Sequence, residues 1–265
     1  MGAGAILLFG ALLIPLETAR FRSAGHVYRE KDPPWRGWVF LYLESRKFQY
    51  LLPASMGAEG VLWYRLKQRG WRHATCGFVV FATRGWGMVG WAFTAAVALA
   101  WAPGVPAILA GLAPWMIGPW PWGTGALLGT LVLGLGPLGW ARWKKLPLSP
   151  EWRRHLLAQV GFMALTLVAN GLSAWLAARS AGLSIPLLSI LGLLALVNFA
   201  IALPASVGGL GIQEWLVLRL GSELGLAAAP LLVFSMLLHA QRLGLTIAGA
   251  FVSHGFRKRE VRGDA

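Results

Sequence analysis

Charged residues are scarce in this sequence. Asp, Glu, Lys and Arg make up only 13% of the 265 residues, whereas a soluble domain carries roughly 25%. Hydrophobic residues make up 57% of the chain, and the mean hydropathy is +0.60. These values exclude a disordered chain, a coiled coil and an ordinary soluble domain. The composition instead predicts a polytopic, all-α membrane protein.

Common enzymatic motifs are also largely missing. The single cysteine, Cys76, excludes a disulfide framework and a cysteine-based metal cluster. The only aspartates are Asp32 and Asp264, both in basic segments. The sequence contains no HExxH, GxSxG or Walker P-loop motif. We therefore expect no enzymatic activity, no metal site, no cofactor and no ATP hydrolysis by this chain.

Positive charge is the one abundant polar feature, and the formal net charge is +14. In a soluble protein this excess would point to nucleic acid. Here the basic residues lie in short loops between apolar runs, so the expected partner is an anionic membrane surface and no nucleic acid.

A membrane span needs about 20 apolar residues. Four stretches meet this requirement: 74–101, 124–141, 155–178 and 226–253. Shorter or more polar apolar stretches lie at 3–16, 37–52, 104–119, 183–203 and 207–222. No Lys or Arg precedes residue 3, so the first stretch predicts a short helix rather than a cleaved signal.

The distribution of basic residues predicts the orientation. Loops 17–36, 65–73 and 142–154 and the tail 257–262 hold four or five basic residues each, which places them in the cytoplasm, with the N-terminus outside. Segment 37–64 must then enter and leave on the same side. The second arm of this segment is too short to cross the membrane, so the whole segment is expected to form a re-entrant helical hairpin. The same argument predicts a second, oppositely directed hairpin over 183–222.

The two hairpin tips have almost the same sequence. LPASMGAEG occupies 52–60 and LPASVGGLG occupies 203–211. Arg-Ser-Ala-Gly precedes each tip, and an arginine follows each tip inside a long apolar run. One transmembrane domain over 1–265 is therefore expected, with inverted halves at about 3–101 and 155–256 joined by 102–154. Such halves are typical of alternating-access transporters, although a duplication kept only for packing remains an alternative.

Charges inside apolar segments are costly and point to function. Arg84 and Arg242 lie near the middle of their runs. Each arginine can either bind an anionic headgroup or pair with Glu59 or Glu214. Arg219 is a further candidate charge partner, although Arg46, Lys47 and Arg219 are expected to reach the membrane interface.

The hairpin tips supply the remaining candidate site residues. Ser55 and Ser206 lie beside prolines, where free backbone N–H groups can bind an anion. Alternatively, each serine caps the helix that follows. The residues expected to form the non-helical tips are Pro53, Gly57, Pro204, Gly208, Gly209 and Gly211.

The segment from Leu203 to Trp215, LPASVGGLGIQEW, followed by Arg242, resembles the transmembrane domain of the lysylphosphatidylglycerol synthase/flippase family. The first half is similar in carrying Leu52-Pro53, Gly57, Glu59, Arg65 and Arg84. It departs from the second half in having Ala58 in place of Gly209 and Trp63 in place of Glu214. The resemblance implies a lipid-translocating module in the plasma membrane of a bacterium or archaeon. The 265 residues contain no aminoacyl-transferase domain, so lipid aminoacylation by this chain alone is not expected.

The expected function is translocation of an anionic phospholipid or lipid-linked intermediate across the bilayer, with membrane lipids as partners. Two alternatives remain open from the sequence. The chain can be the membrane subunit of a lipid-modification enzyme whose catalytic part is separately encoded. It can also be a scaffold for enzymes of cell-envelope synthesis.

Overall fold

The computed structural model describes residues 2–28, 33–49, 56–101, 149–202 and 209–262. These residues form eight α-helices and no β-strand. The helices are α1 (Gly2–Gly25), α2 (Trp35–Arg46), α3 (Met56–Gln68), α4 (His73–Trp101), α5 (Trp152–Ser180), α6 (Leu187–Ala202), α7 (Ile212–Glu223) and α8 (Ala228–Arg262). The all-α prediction is confirmed over these ranges.

Within the described ranges, two helices are long and apolar enough to cross a membrane: α5, and α8 over Ala228–Phe251. Both coincide with predicted spans. Helix α4 has 29 residues and follows the predicted span 74–101. The predicted span 124–141 lies outside the described residues.

Helix α1 is longer than the sequence predicts. The expected first helix was 3–16, but α1 continues to Gly25 with Pro15 inside it. Glu17 and Arg20 lower the hydropathy of this part, which therefore resembles the start of a loop. The helix continues because Glu17 and Thr18 are buried inside the protein rather than exposed.

The four short helices follow the predicted hairpin arms. Helices α2 and α3 have 12 and 13 residues, which gives each a length of only about 20 Å. Helices α6 and α7 have 16 and 12 residues. The tips themselves, 50–55 and 203–208, lie outside the described residues.

Glycines allow close packing beside both predicted tips. A Cβ on Gly57 would collide with the carbonyl oxygen of Phe48. Gly209 has a φ of +84°, and a Cβ there would lie 2.7 Å from the Ile201 side chain. A larger residue at either position would push the two arms of its predicted hairpin apart.

The packing of the helices is reciprocal between α1–α4 and α5–α8. Helix α4 packs against α6 just as α8 packs against α2, and α1 packs against α5. Contacts of α1 with α8 are likewise matched by contacts of α5 with α4. One core cluster is built mainly from α5–α8 and another from α1–α4. This arrangement leaves a cavity where the two sets of helices meet.

Candidate functional site

A central cavity of about 310 Å³ lies between the two sets of helices. Residues from α1, α2, α3, α4, α5, α6 and α8 line it. Both predicted halves therefore contribute to one site. Its volume lies at the lower end of the range typical of small-ligand pockets, about 300–1,000 Å³.

The charged lining of the cavity is predominantly basic. Four arginines and two glutamates line it: Arg20, Arg46, Arg84, Arg242, Glu17 and Glu59. Arginine stays protonated in proteins, so its charge persists at any physiological pH. Among the described lining residues, the guanidinium groups outnumber the carboxylates by two. The excess of positive charge in this lining favours the binding of an anion.

Arg84 and Glu59 form an ion pair in this cavity. Arg84 Nη1 donates to Glu59 Oε1 at 2.5 Å, and the side chains are 19% and 25% exposed. Helix α4 supplies the arginine and the first turn of α3 supplies the glutamate. The structure thus brings together two residues that the sequence proposed as partners.

Arg242 has a different environment from Arg84. Its Nη1 donates to the side-chain oxygen of Gln213 at 2.7 Å. Gln213 is fully buried and its amide nitrogen donates to both oxygens of Ser235, at 3.1 Å each. Gln213 therefore holds the guanidinium of Arg242 with a neutral acceptor.

Glu214 faces another part of the molecule and does not line the cavity. Its Oε1 lies 2.6 Å from His239 Nε2. Its Oε2 accepts the backbone N–H of Gly211 at 2.7 Å, which caps α7. Arg219 is exposed on the same helix and pairs with Glu223 at 2.8 Å.

Three charged residues of the cavity were missed or placed elsewhere by the sequence reasoning. Glu17 and Arg20 lie on α1, 3.2 Å apart between Oε2 and Nη2. Arg46 at the end of α2 was expected at the interface, yet it lines the cavity with Nη2 3.8 Å from Glu17 Oε2. Glu17 therefore lies between two arginines. The only sequence signal was a Glu–Arg pair spaced to share one helical face.

Neutral polar residues complete the lining. Asn170 and Asn198 each donate to a carbonyl of their own helix. Gln241 accepts a hydrogen bond from Ser173 at 3.0 Å, which ties α8 to α5. Gln49 donates to Thr246 at 3.1 Å, which ties the end of the α2 arm to α8. The bond between Gln49 and Thr246 thus links the two halves, whereas the bond between Ser173 and Gln241 lies within the second half.

Several predicted tip residues lie outside the described part of the chain, namely Pro53, Ser55, Pro204, Ser206 and Gly208. Among the described residues, no group of three or more His, Cys, Asp or Glu side chains is arranged to hold a metal ion. Comparison of the chain with protein-family models, curated proteins and solved structures finds no match.

Proposed function

We propose that this chain is a multi-pass membrane protein that translocates an anionic phospholipid or lipid-linked intermediate across the bilayer. The observation that carries the proposal is the charged cavity between the two halves, with its excess of two guanidinium groups. A charge inside a membrane protein costs free energy and points to function. A phosphate headgroup entering the cavity would be attracted by this excess of positive charge.

The chemistry of arginine supports a phosphate-bearing ligand. A guanidinium group is a planar fork that binds phosphate through two parallel hydrogen bonds. The cavity offers such groups from both halves, on α1, α2, α4 and α8. A headgroup held between them would contact both halves at once.

The reciprocal packing supports alternating access. Helix α4 of the first half packs against α6 of the second half. In the equivalent contact, α8 of the second half packs against α2 of the first half. Halves related in this way, with short paired helices near a shared site, are found in transporters that rock one half against the other. The proposed mechanism is that such rocking exposes the arginines to one side and then to the other, while the acyl chains stay in lipid.

The proposal includes membership of the lysylphosphatidylglycerol synthase/flippase transmembrane-domain family, on the motifs described above. It also includes the inverted topology, with both termini and hairpins oriented as the basic loops predict. In this view a separately encoded enzyme would make the lipid, and this chain would move it.

Reconstitution in liposomes tests the function. Fluorescent phosphatidylglycerol and phosphatidylcholine are placed in both leaflets, and an impermeant reductant bleaches the outer label. We expect faster bleaching of the inner anionic lipid than in protein-free liposomes, with a smaller effect on phosphatidylcholine. Chemical conversion of the lipid would favour the enzyme-subunit alternative. Neither transport nor conversion would favour the scaffold.

A further inference from the structure

Glu214 and His239 form an acid–base pair where α7 packs against α8. Glu214 Oε1 lies 2.6 Å from His239 Nε2, and the two side chains are 26% and 15% exposed. Neither residue lines the central cavity. Histidine is the side chain that most readily gains or loses a proton between about pH 5 and 8. A titratable group therefore lies beside the cavity but outside it.

The imidazole of His239 has one nitrogen available for a further proton. A neutral imidazole carries one N–H and one bare nitrogen. Because Nε2 lies against a carboxylate oxygen, hydrogen on Nε2 avoids the repulsion of two lone pairs and leaves Nδ1 bare. Both ring nitrogens are buried, and among the described residues neither has a partner aligned as a hydrogen bond. Buried nitrogens of this kind are uncommon, and a proton-binding role accounts for them.

The same carboxylate also holds the start of α7. Glu214 Oε2 accepts the backbone N–H of Gly211 at 2.7 Å, at the N-terminus of this helix. Gly211 has a φ of +82° and is the last residue of the predicted tip 203–211. Glu214 therefore joins His239 to the point where the chain leaves the predicted tip. A change in the charge of His239 would act on the position of α7.

The cavity residue Arg242 is held by the same two helices. Gln213, beside Glu214 on α7, accepts a hydrogen bond from Arg242 and donates to Ser235. Ser235, His239 and Arg242 occupy successive turns of α8, so they lie on one face of that helix. The contact between α7 and α8 thus contains both the acid–base pair and the hydrogen bond of Arg242.

The charges around His239 link its protonation to an anion at Arg242. Among the described residues, the charged groups that act on His239 are Glu214 of α7 and Arg242 of α8. Helices α1, α2 and α5 also pack against α8, and the groups acting on His239 include none of their described ionisable residues. An imidazolium is attracted by Glu214 and repelled by Arg242. A negative headgroup on Arg242 would offset that repulsion, so anion binding and protonation favour each other.

We infer that Glu214 and His239 form a proton-binding site, and that one proton binds at Nδ1 of His239 with each anionic headgroup and crosses the membrane with it. A proton gradient would then drive translocation. The proton comes from water on the side where the headgroup enters and returns to water on the side where the headgroup leaves. The inference rests on the proposed function for the lipid nature of the ligand, whereas the proton linkage rests on the contact between α7 and α8.

Binding of short-chain phosphatidylglycerol to the full chain in phosphatidylcholine nanodiscs tests the linkage without transport. The phosphodiester of this lipid keeps one negative charge between about pH 5.5 and 8, where a histidine titrates. We expect the affinity to fall at least about fivefold from the lower to the higher pH, as for a modest coupling between two sites. Calorimetry in two buffers of different ionisation enthalpy should show proton uptake on binding. An affinity independent of pH, without proton uptake, would overturn the inference and leave the proposed function standing.

Matched variants assign the pH dependence to His239. H239Q keeps a side-chain N–H for Glu214 but binds no proton, so its affinity should vary less than about twofold over the same range. The control H73Q alters an exposed histidine at the start of α4 and should keep the wild-type pH dependence. A wild-type pH dependence in H239Q, or its loss in H73Q, would contradict the assignment.

E214Q keeps the test decisive if H239Q fails to fold. This variant preserves the shape of the side chain and removes the charge that attracts the imidazolium. Its affinity for phosphatidylglycerol should therefore rise only at lower pH than in the wild type. An unshifted pH dependence in E214Q would overturn the pairing of Glu214 with His239 as the proton site.

Liposomes with a pH difference of about one unit test the coupling of the proton to transport. For one proton per lipid, fluorescent phosphatidylglycerol should become enriched up to about tenfold in the leaflet on the alkaline side. Protein-free liposomes and H239Q should show no such enrichment on the same timescale. Translocation by the wild type without enrichment would overturn proton coupling. Absence of translocation, with pH-linked binding intact, would reject the proposed function and leave the proton-linked binding site.

Discussion

Replacing Arg84 with leucine should destabilise the protein by leaving Glu59 without its partner. The two side chains are bonded at 2.5 Å and are 19% and 25% exposed. Breaking a buried ion pair costs about 3–5 kcal/mol, whereas a surface pair contributes about 0.2–1 kcal/mol. Because this pair is mostly buried but borders a polar cavity, we expect a loss of about 2–4 kcal/mol in the free energy of unfolding for R84L.

The double variant separates lost pairing from lost packing. E59L with R84L removes both charges, so no carboxylate remains unpaired. We expect it to recover most of the lost stability, with a coupling energy of about 2 kcal/mol in the double-mutant cycle. Unfolding in mixed micelles, followed by tryptophan fluorescence, measures all four proteins under the same conditions.

A surface pair on α7 provides the control cycle. Arg219 and Glu223 lie 2.8 Å apart with side chains 45% and 32% exposed. Their coupling energy should not exceed about 0.5 kcal/mol, as is usual for such helical pairs. If the Glu59–Arg84 cycle gave a coupling energy no larger than this control, the cavity would be solvated and the reasoning on its charges would be refuted.

Two further predictions concern the fold. G57A should lower the unfolding free energy by about 1–3 kcal/mol, because its methyl group would collide with the Phe48 carbonyl. G60A on the same helix meets nothing within 4 Å and should be neutral or slightly stabilising; equal effects would contradict the close approach at residue 57. In a cysteine-free background, a cysteine at Lys67 should resist an impermeant thiol reagent added outside cells, whereas one at Gly123 should react. Labelling at Lys67 would contradict the first re-entrant hairpin.

The sequence predicted the helices best where hydropathy alone decides their position. The spans corresponding to α5 and α8 are long and apolar, and the structure has helices there. The ion pair of Arg84 was foreseen as one of two alternatives because both partners are charges in apolar surroundings. A charge in such surroundings needs a partner of opposite charge, and the apolar segments contain few acidic residues.

The positions of Glu17 and Arg20 and the partner of Arg242 could not be predicted in this way. Glu17 and Arg20 follow an apolar stretch, and hydropathy does not distinguish a helix that turns charges inward from a helix that ends. Gln213 is uncharged, so nothing marked it as the acceptor for Arg242 in preference to Glu214 beside it. Which of the two adjacent residues reaches Arg242 depends on the rotation of α7, and that rotation is set by tertiary packing.

The most direct test of the account measures stability and lipid translocation on the same Arg242 variants in the same liposomes. If Arg242 holds a headgroup phosphate, R242L should lose no more than about 1–3 kcal/mol of stability, the cost of leaving the buried Gln213 oxygen without this donor, yet translocate anionic lipid at least about tenfold more slowly. R242K should fold normally and translocate slowly, because a lysine lacks the planar fork. A stable R242L protein with undiminished translocation would contradict the central claim that the arginines of the cavity carry the lipid.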